Sequence, residues 1–305
     1  MSSRLSIIVP AEGVNLDRRG YWRHCTLSAR EVAEQLCSES KLSLRSGQMY
    51  PILTRFGPFF LFSYTVFMGL GIVLGLGLAA WLERRGDQRL PGWFDGFLAA
   101  MVVGIAGGRA VFVMVNWTYY QENIQELFLI SRGGLNYYGV LVTGLLALCL
   151  WTRWRKRPFG PYGGLLAAAL ALVGVFGWLA CWFEGCAFGR ETIFGPLAAD
   201  LPDSFGVHGL RFQTQLMGLI TCLLILIIVL GLHGRLQPLM IFWLTLLFLS
   251  AGRGVVSLYR GDEAPFVGQY RLDTVADGLL FVVCLLAILT LFARRWRVKR
   301  SNQKG

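Results

Sequence analysis

The sequence predicts an all-α polytopic membrane protein, with seven transmembrane helices, its N-terminus outside and its C-terminus in the cytoplasm. Three observations predict it. The 305 residues are 55% apolar and 15% charged, with a mean hydropathy of +0.53, whereas a soluble domain carries about 25% charge. The apolar residues fall into seven runs, most of them near the roughly 20 residues a spanning helix needs. The basic residues gather in alternate loops, as they do where short loops face the cytoplasm. This composition excludes a water-soluble enzyme and a disordered chain.

The runs lie at about 58–82, 94–116, 135–151, 163–183, 214–232, 238–258 and 275–293, the third being short. No internal repeat is evident, which argues against an inverted-repeat transporter. The net charge of +11 comes from 29 Lys and Arg against 18 Asp and Glu. On a soluble chain it would point to nucleic acid; here its distribution points to topology. Loops 83–93, 152–162 and 233–237 and the C-terminal tail together carry fourteen basic residues, and the intervening loops carry five. Residues 1–57 carry eight more, but long segments weigh little in the positive-inside rule.

The chain therefore divides into an N-terminal extension at 1–57, a seven-span membrane domain at 58–293 and a basic cytoplasmic tail at 294–305. The extension is mixed and unpatterned. Its only apolar run, Leu5–Val9 before Pro10, is shorter than a signal-peptide core. Two readings stand for it: an outer extension, or sequence upstream of a true start at Met49. The seven cysteines do not suggest a disulfide framework, since Cys149, Cys222 and Cys284 lie inside apolar runs.

With the N-terminus outside, odd spans run inward and even spans outward, so each polar residue acquires a depth. Tyr64, Arg109, Asn116, Asn136, Tyr137, Tyr138, Cys181, Glu184, Arg253, Ser257 and Asp277 then share the outer leaflet. Arg109 and Asn116, seven apart, lie on one helix face. Ser250, Arg253, Ser257 and Arg260 form a polar stripe. A charge at mid-membrane costs about 2.5–3.5 kcal/mol on insertion scales, so such groups mark function unless they pair structurally. The structural alternative is an ion pair of Arg253 with Asp277 or Glu184. Gly71 with Gly75 and Gly104 with Gly108 suit close helix packing, while Gly133-Gly134 and Gly163-Gly164 suit entry turns.

Two arginines framed by tyrosines in an apolar bundle suit a phospholipid, because guanidinium forks match phosphate oxygens. If the site is catalytic, the arginines stabilise a phosphate leaving group and a further group takes a proton from the acceptor. His24, His208 and His233 all fall in loops or outer segments. That leaves Glu184, Asp277 or Tyr138 as the base. Cys181 and Cys186 flank the outer end of the fourth run and read either as a redox pair facing an oxidising compartment or as small residues at a helix end.

Gly107-Gly108-Arg109, Arg132–Gly139 (RGGLNYYG) and Cys181–Arg190 (CWFEGCAFGR) resemble, in order and spacing, three blocks of the bacterial prolipoprotein diacylglyceryl transferases. Weaker blocks follow at Gln213–Leu216 and Gly252-Arg253, and Phe56-Gly57-Pro58 with Tyr64 fits the start. The resemblance covers about 50–293. It implies a bacterial inner-membrane enzyme that moves diacylglyceryl from phosphatidylglycerol to the lipobox cysteine thiol of a preprolipoprotein. Glycerol-1-phosphate is then the leaving group, and neither cofactor nor metal is used. Taken with the depth reading, the candidates are Tyr64, Tyr138, Glu184 and Arg253 for catalysis, and Arg109, Asn116, Cys181, Gly185, Gly189 and Arg190 for substrate binding; of these, Tyr64, Arg109, Gly185, Gly189 and Arg253 keep the residues the resemblance implies. The sequence departs from the family pattern at Tyr138, where a histidine is usual. It departs again at Trp178, Cys181 and Glu184, which replace an arginine and two asparagines, and at Ser257, which replaces an acid. These departures resemble a divergent, cysteine-containing branch, and leave open a second reading: an impaired homologue that binds phospholipid or lipoprotein segments.

Overall fold

The computed structural model describes residues 52–56, 59–86, 89–127, 134–193, 195, 197–203 and 206–302. The expectations for residues 1–48 and for Met49 lie outside them. A hairpin of β1 (Ile52–Phe56) and β2 (Phe59–Phe62) opens the described part. It leads into α1 (Ser63–Arg85), α2 (Trp93–Val115) and the single turn α3 (Trp117–Tyr120). Then come α4 (Tyr137–Trp154) and α5 (Phe159–Glu184), a hairpin of β3 (Ala198–Pro202) and β4 (His208–Phe212), and α6 (Thr214–Leu232) and α7 (Pro238–Ser257). A short hairpin, β5 (Phe266–Val267) with β6 (Tyr270–Arg271), precedes α8 (Leu272–Asn302).

Six of these helices, α1, α2, α5, α6, α7 and α8, are long and apolar enough to cross a membrane. The chain is a multi-pass membrane protein. The third predicted run is helical as well, but α4 has 18 residues, opens on two tyrosines and closes on Arg153-Trp154. Its apolar stretch is therefore short, as anticipated. The membrane part is all-helical, as expected, and among the described residues three two-stranded antiparallel hairpins lie outside the helices. The first run does not begin its helix at 58, because Phe59–Phe62 pairs as a strand: an aromatic run satisfies a hydropathy window equally well as strand or helix. Gly163-Gly164 is no entry turn either. Both glycines lie inside α5, which starts at Phe159 after Pro158, and Gly164 accommodates Pro238 of α7. Residues 294–302 continue α8 rather than forming a separate tail.

α5 is the central element. It packs against α1, α6 and α7, while α2 pairs with α4 and α7 with α8. Lipid gives apolar helices no hydrophobic reason to associate, so small residues that admit close contact decide which faces meet. Gly71, Gly75 and Ala79 recur every fourth residue along the buried face of α1. A Cβ on Gly75 would stand 3.2 Å from Val173 and 3.4 Å from the Ala169 carbonyl of α5. Gly104 and Gly108 do the same for α2 against α4. Gly139 lies so close that its Cβ would be 2.9 Å from the Gly108 Cα and 3.0 Å from the Gly107 carbonyl.

Since two of the three nearest atoms are backbone and the third is the Val111 Cβ at 2.9 Å, Gly139→Leu should destabilise the bundle by about 1–3 kcal/mol or more, as overpacking does. Gly77→Ala, with nothing within 4 Å of the new methyl, should stay within about 0.5 kcal/mol of the parent. Thermal unfolding in detergent, followed by tryptophan fluorescence, compares the two.

Candidate functional site

Helices of alternating direction bring the start of α1, α4, α6 and α8 and the end of α2, α5 and α7 to one end of the bundle. The polar side chains meet there. Asn136 caps α4: its side chain accepts a hydrogen bond from the Gly139 N–H at 2.9 Å. Its own N–H donates to the Gly108 carbonyl at 3.0 Å. That cap orients the two following tyrosines.

Arg253, from the last two turns of α7, is held between α4 and α8. Its guanidinium carbon lies 3.9 Å from the centre of the Tyr137 ring and 5.5 Å from that of Tyr138, a cation–π arrangement. Its Nε faces Asp277 Oδ1 at 3.4 Å, and its Nη2 faces the Tyr138 hydroxyl at 3.4 Å. The Tyr138 hydroxyl in turn donates to the Asp273 carbonyl at 2.7 Å, locking α4 to the start of α8. Asp277 is 1% exposed, whereas the Arg253 side chain is 21% exposed. Gly254 faces Asp277 of α8, where a Cβ would make ordinary contact with the Asp277 Cβ at 3.6 Å. Ser257 is engaged with Thr274 at 2.7 Å. Beside Arg253 the wall is apolar and closely packed, formed by Trp178, Gly218, Cys222, Leu249 and Val256, among others.

Glu184 ends α5 and is half-buried. Phe62, the N-cap residue of α1, offers no side-chain cap. Glu184 Oε2 instead accepts the Tyr64 N–H at 3.2 Å, setting a carboxylate at the positive end of α1. The Tyr64 hydroxyl lies within electrostatic range of both Glu184 and Arg253. Tyr64, Tyr138, Glu184 and Arg253 therefore lie at one end of the bundle, joined by Tyr137 and Asp277. Tyr137 was not among the expected site residues, and Asp277 entered only as an ion-pair or base alternative. The available signals were a second aromatic beside Tyr138 and an acid inside the last apolar run.

The other expected residues make the following contacts. Arg109 is buried, and its guanidinium donates to three carbonyls: Leu127 at 2.9 Å, Gly134 at 3.1 Å and Glu126 at 2.7 Å. These bonds bind α2 to residues that precede α4. The Asn116 side chain donates to the Phe112 carbonyl at 2.8 Å and finishes α2. Gly185 caps α5 with φ of 83°, its N–H reaching the Cys181 carbonyl at 2.8 Å. Gly189 passes against the Phe212 backbone, where no Cβ fits. Arg190 is exposed and lies over Phe212 and Tyr259. Cys181 and Cys186 are joined in a disulfide, which sets aside the reading of two unlinked small residues. Above the bundle, Arg260 and Arg271 interlock with Asp262 and Asp273. Among the described residues no group of three His, Cys, Asp or Glu could hold a metal ion.

The fold and site define a multi-pass membrane protein with the partly accessible Arg253 clasped at the convergent ends of its helices. Residues 51–293 match the family model described as prolipoprotein diacylglyceryl transferase. The chain belongs to that transferase family. Relatives named phosphatidylglycerol–prolipoprotein diacylglyceryl transferase include one from Corynebacterium glutamicum, 28% identical over 251 residues that cover 72% of this chain and 77% of the relative. One from Symbiobacterium thermophilum is 27% identical over 265 residues, covering 84% and 95%. One from Streptococcus suis is 27% identical over 246 residues, covering 79% and 92%.

If Arg109 holds the loop rather than a ligand, Arg109→Lys replaces a planar fork that spans three carbonyls by a compact point charge that cannot reach all three in line, and should cost about 1–3 kcal/mol. Limited proteolysis should then cut faster between residues 124 and 134, while phospholipid retained through purification stays at the parent level.

Proposed function

We propose that this protein transfers the diacylglyceryl group of phosphatidylglycerol to the cysteine thiol of a prolipoprotein lipobox. The observation that carries this reading is the Arg253 clasp within a member of this transferase family. Both polar contacts of Arg253, at 3.4 Å, are long for hydrogen bonds. The guanidinium therefore keeps donor capacity for a phosphate, while the Tyr137 face and Asp277 hold it in place. The acceptor reacts as its thiolate. Its sulfur bonds to the glyceryl carbon, the bond from that carbon to the phosphate oxygen breaks, and the electron pair leaves on glycerol phosphate. Arg253 neutralises the charge gathering on that oxygen.

Glu184 is the proton acceptor in this reading. Asp277 is buried against Arg253, and the Tyr138 hydroxyl already donates its proton to a carbonyl. Glu184 is the half-buried carboxylate at the mouth, beside Tyr64. Asp277 and Tyr137 position Arg253, and Tyr138 ties α4 to α8.

The same reading gives the membrane domain at 58–293 all seven spans, with α4 the shortest, in the bacterial inner membrane. The site then faces outward and the basic stretch from 294 faces the cytoplasm. The loops with fourteen and five basic residues support this orientation. The Cys181–Cys186 disulfide supports it too, since disulfides persist on the oxidising side.

Purified protein supplied with phosphatidylglycerol vesicles and a reduced lipobox peptide should add one diacylglyceryl group to the peptide, read by mass. Arg253→Lys should lower the rate by about 10²–10³, and Glu184→Gln by about 10²–10⁴. No transfer by the parent protein, under conditions where the Symbiobacterium relative is active, would falsify the enzyme reading. It would favour an impaired homologue that binds phospholipid.

A further inference from the structure

The disulfide encloses the residue to which the preceding section gives the proton. Cys181 lies in the last turn of α5, Glu184 is its final residue, Gly185 turns the chain in a left-handed conformation, and Cys186 follows. Beyond it the chain is anchored to α6. The buried Gln215 side chain donates to the Cys186 carbonyl at 3.0 Å, and the Thr214 hydroxyl donates to the Ala187 carbonyl. Ala187 itself holds φ of 55°, a left-handed conformation unfavourable for alanine. The turn of chain carrying Glu184 is thus fixed from two sides, by Cys181 on the helix and by Gln215 through Cys186. Glu184 in turn reaches across to the first N–H groups of α1 at Tyr64.

A five-residue separation closes a loop too small for chain entropy to be the main benefit, because that benefit grows with loop length. Helix ends fray, and a frayed last turn would carry Glu184 away from Tyr64. We infer that the Cys181–Cys186 disulfide is a positioning element that holds the Glu184 carboxylate on the N-terminus of α1, at the mouth of the Arg253 site. The catalytic half of this inference rests on the reading of Glu184 as proton acceptor; the positional half does not.

The test compares the parent, Glu184→Gln, the pair Cys181→Ser with Cys186→Ser, and all three changes together. Hydrogen exchange in detergent reads the position without any activity. The serine pair should exchange about tenfold faster at the first turn of α1, with α2 and α4 unchanged. An unchanged α1 turn overturns the inference. Should the serine pair fail to fold, the folded parent is reduced with a phosphine and alkylated, then measured in the same way, with the same two outcomes. In the transfer assay, run with peptide freed of reductant, the serine pair should lose about tenfold on its own and nothing further in the Glu184→Gln background, because coupled groups are not additive. Independent, additive losses overturn the catalytic half. A parent that transfers nothing overturns the proposed function, while hydrogen exchange still decides the positional half.

Discussion

A permanently charged guanidinium inside a bundle of apolar helices has to be given partners, and the placement of Arg253 organises the site end of this molecule. Its partners come from two other helices. Tyr137 and Tyr138 open α4, and Asp277 lies one turn into α8. For these groups to meet, α4, α7 and α8 must reach the same level. The hydrogen bond from the Tyr138 hydroxyl to the Asp273 carbonyl holds them there. The contact of Gly108 with Gly139 then places α2 against α4, and Asn136 joins both through its cap and its bond to Gly108. A change in the clasp is therefore felt in four helices.

The two arginines that look equivalent along the chain are physically different. Arg109 donates to backbone carbonyls at 2.7–3.1 Å, and such satisfied bonds in a low-dielectric setting are costly to exchange for a ligand. Arg253 is neutralised mainly by charge and by an aromatic face, with longer hydrogen bonds. One arginine shapes the entry to α4, and the other faces the mouth.

Helix existence was legible because an apolar run of spanning length has few other outcomes. The start of α6 at 214 and the course of α7 follow the sequence within a residue or so. The close-packing glycines of α1 and α2 were legible for a similar reason: spacing of four sets one face of a helix. The hairpins were not legible. Phe59–Phe62 has the hydropathy of a helix start, and β3 with β4 depends on pairing between segments that alternate only weakly. Gly163-Gly164 misled because a glycine pair marks a turn in water but a contact surface between membrane helices.

The sequence by itself determined that the chain is a helical membrane protein, which residues share its polar end, and the family whose blocks it carries. Composition, run length and depth are properties of the chain and survive any arrangement of the helices. Only the tertiary structure decided which polar groups touch. It gave Asp277 to Arg253, Glu184 to the start of α1, Arg109 to a loop, and Cys181 to Cys186. These pairings depend on distances and rotamers between segments far apart in the chain, and neither helical period nor hydropathy encodes them.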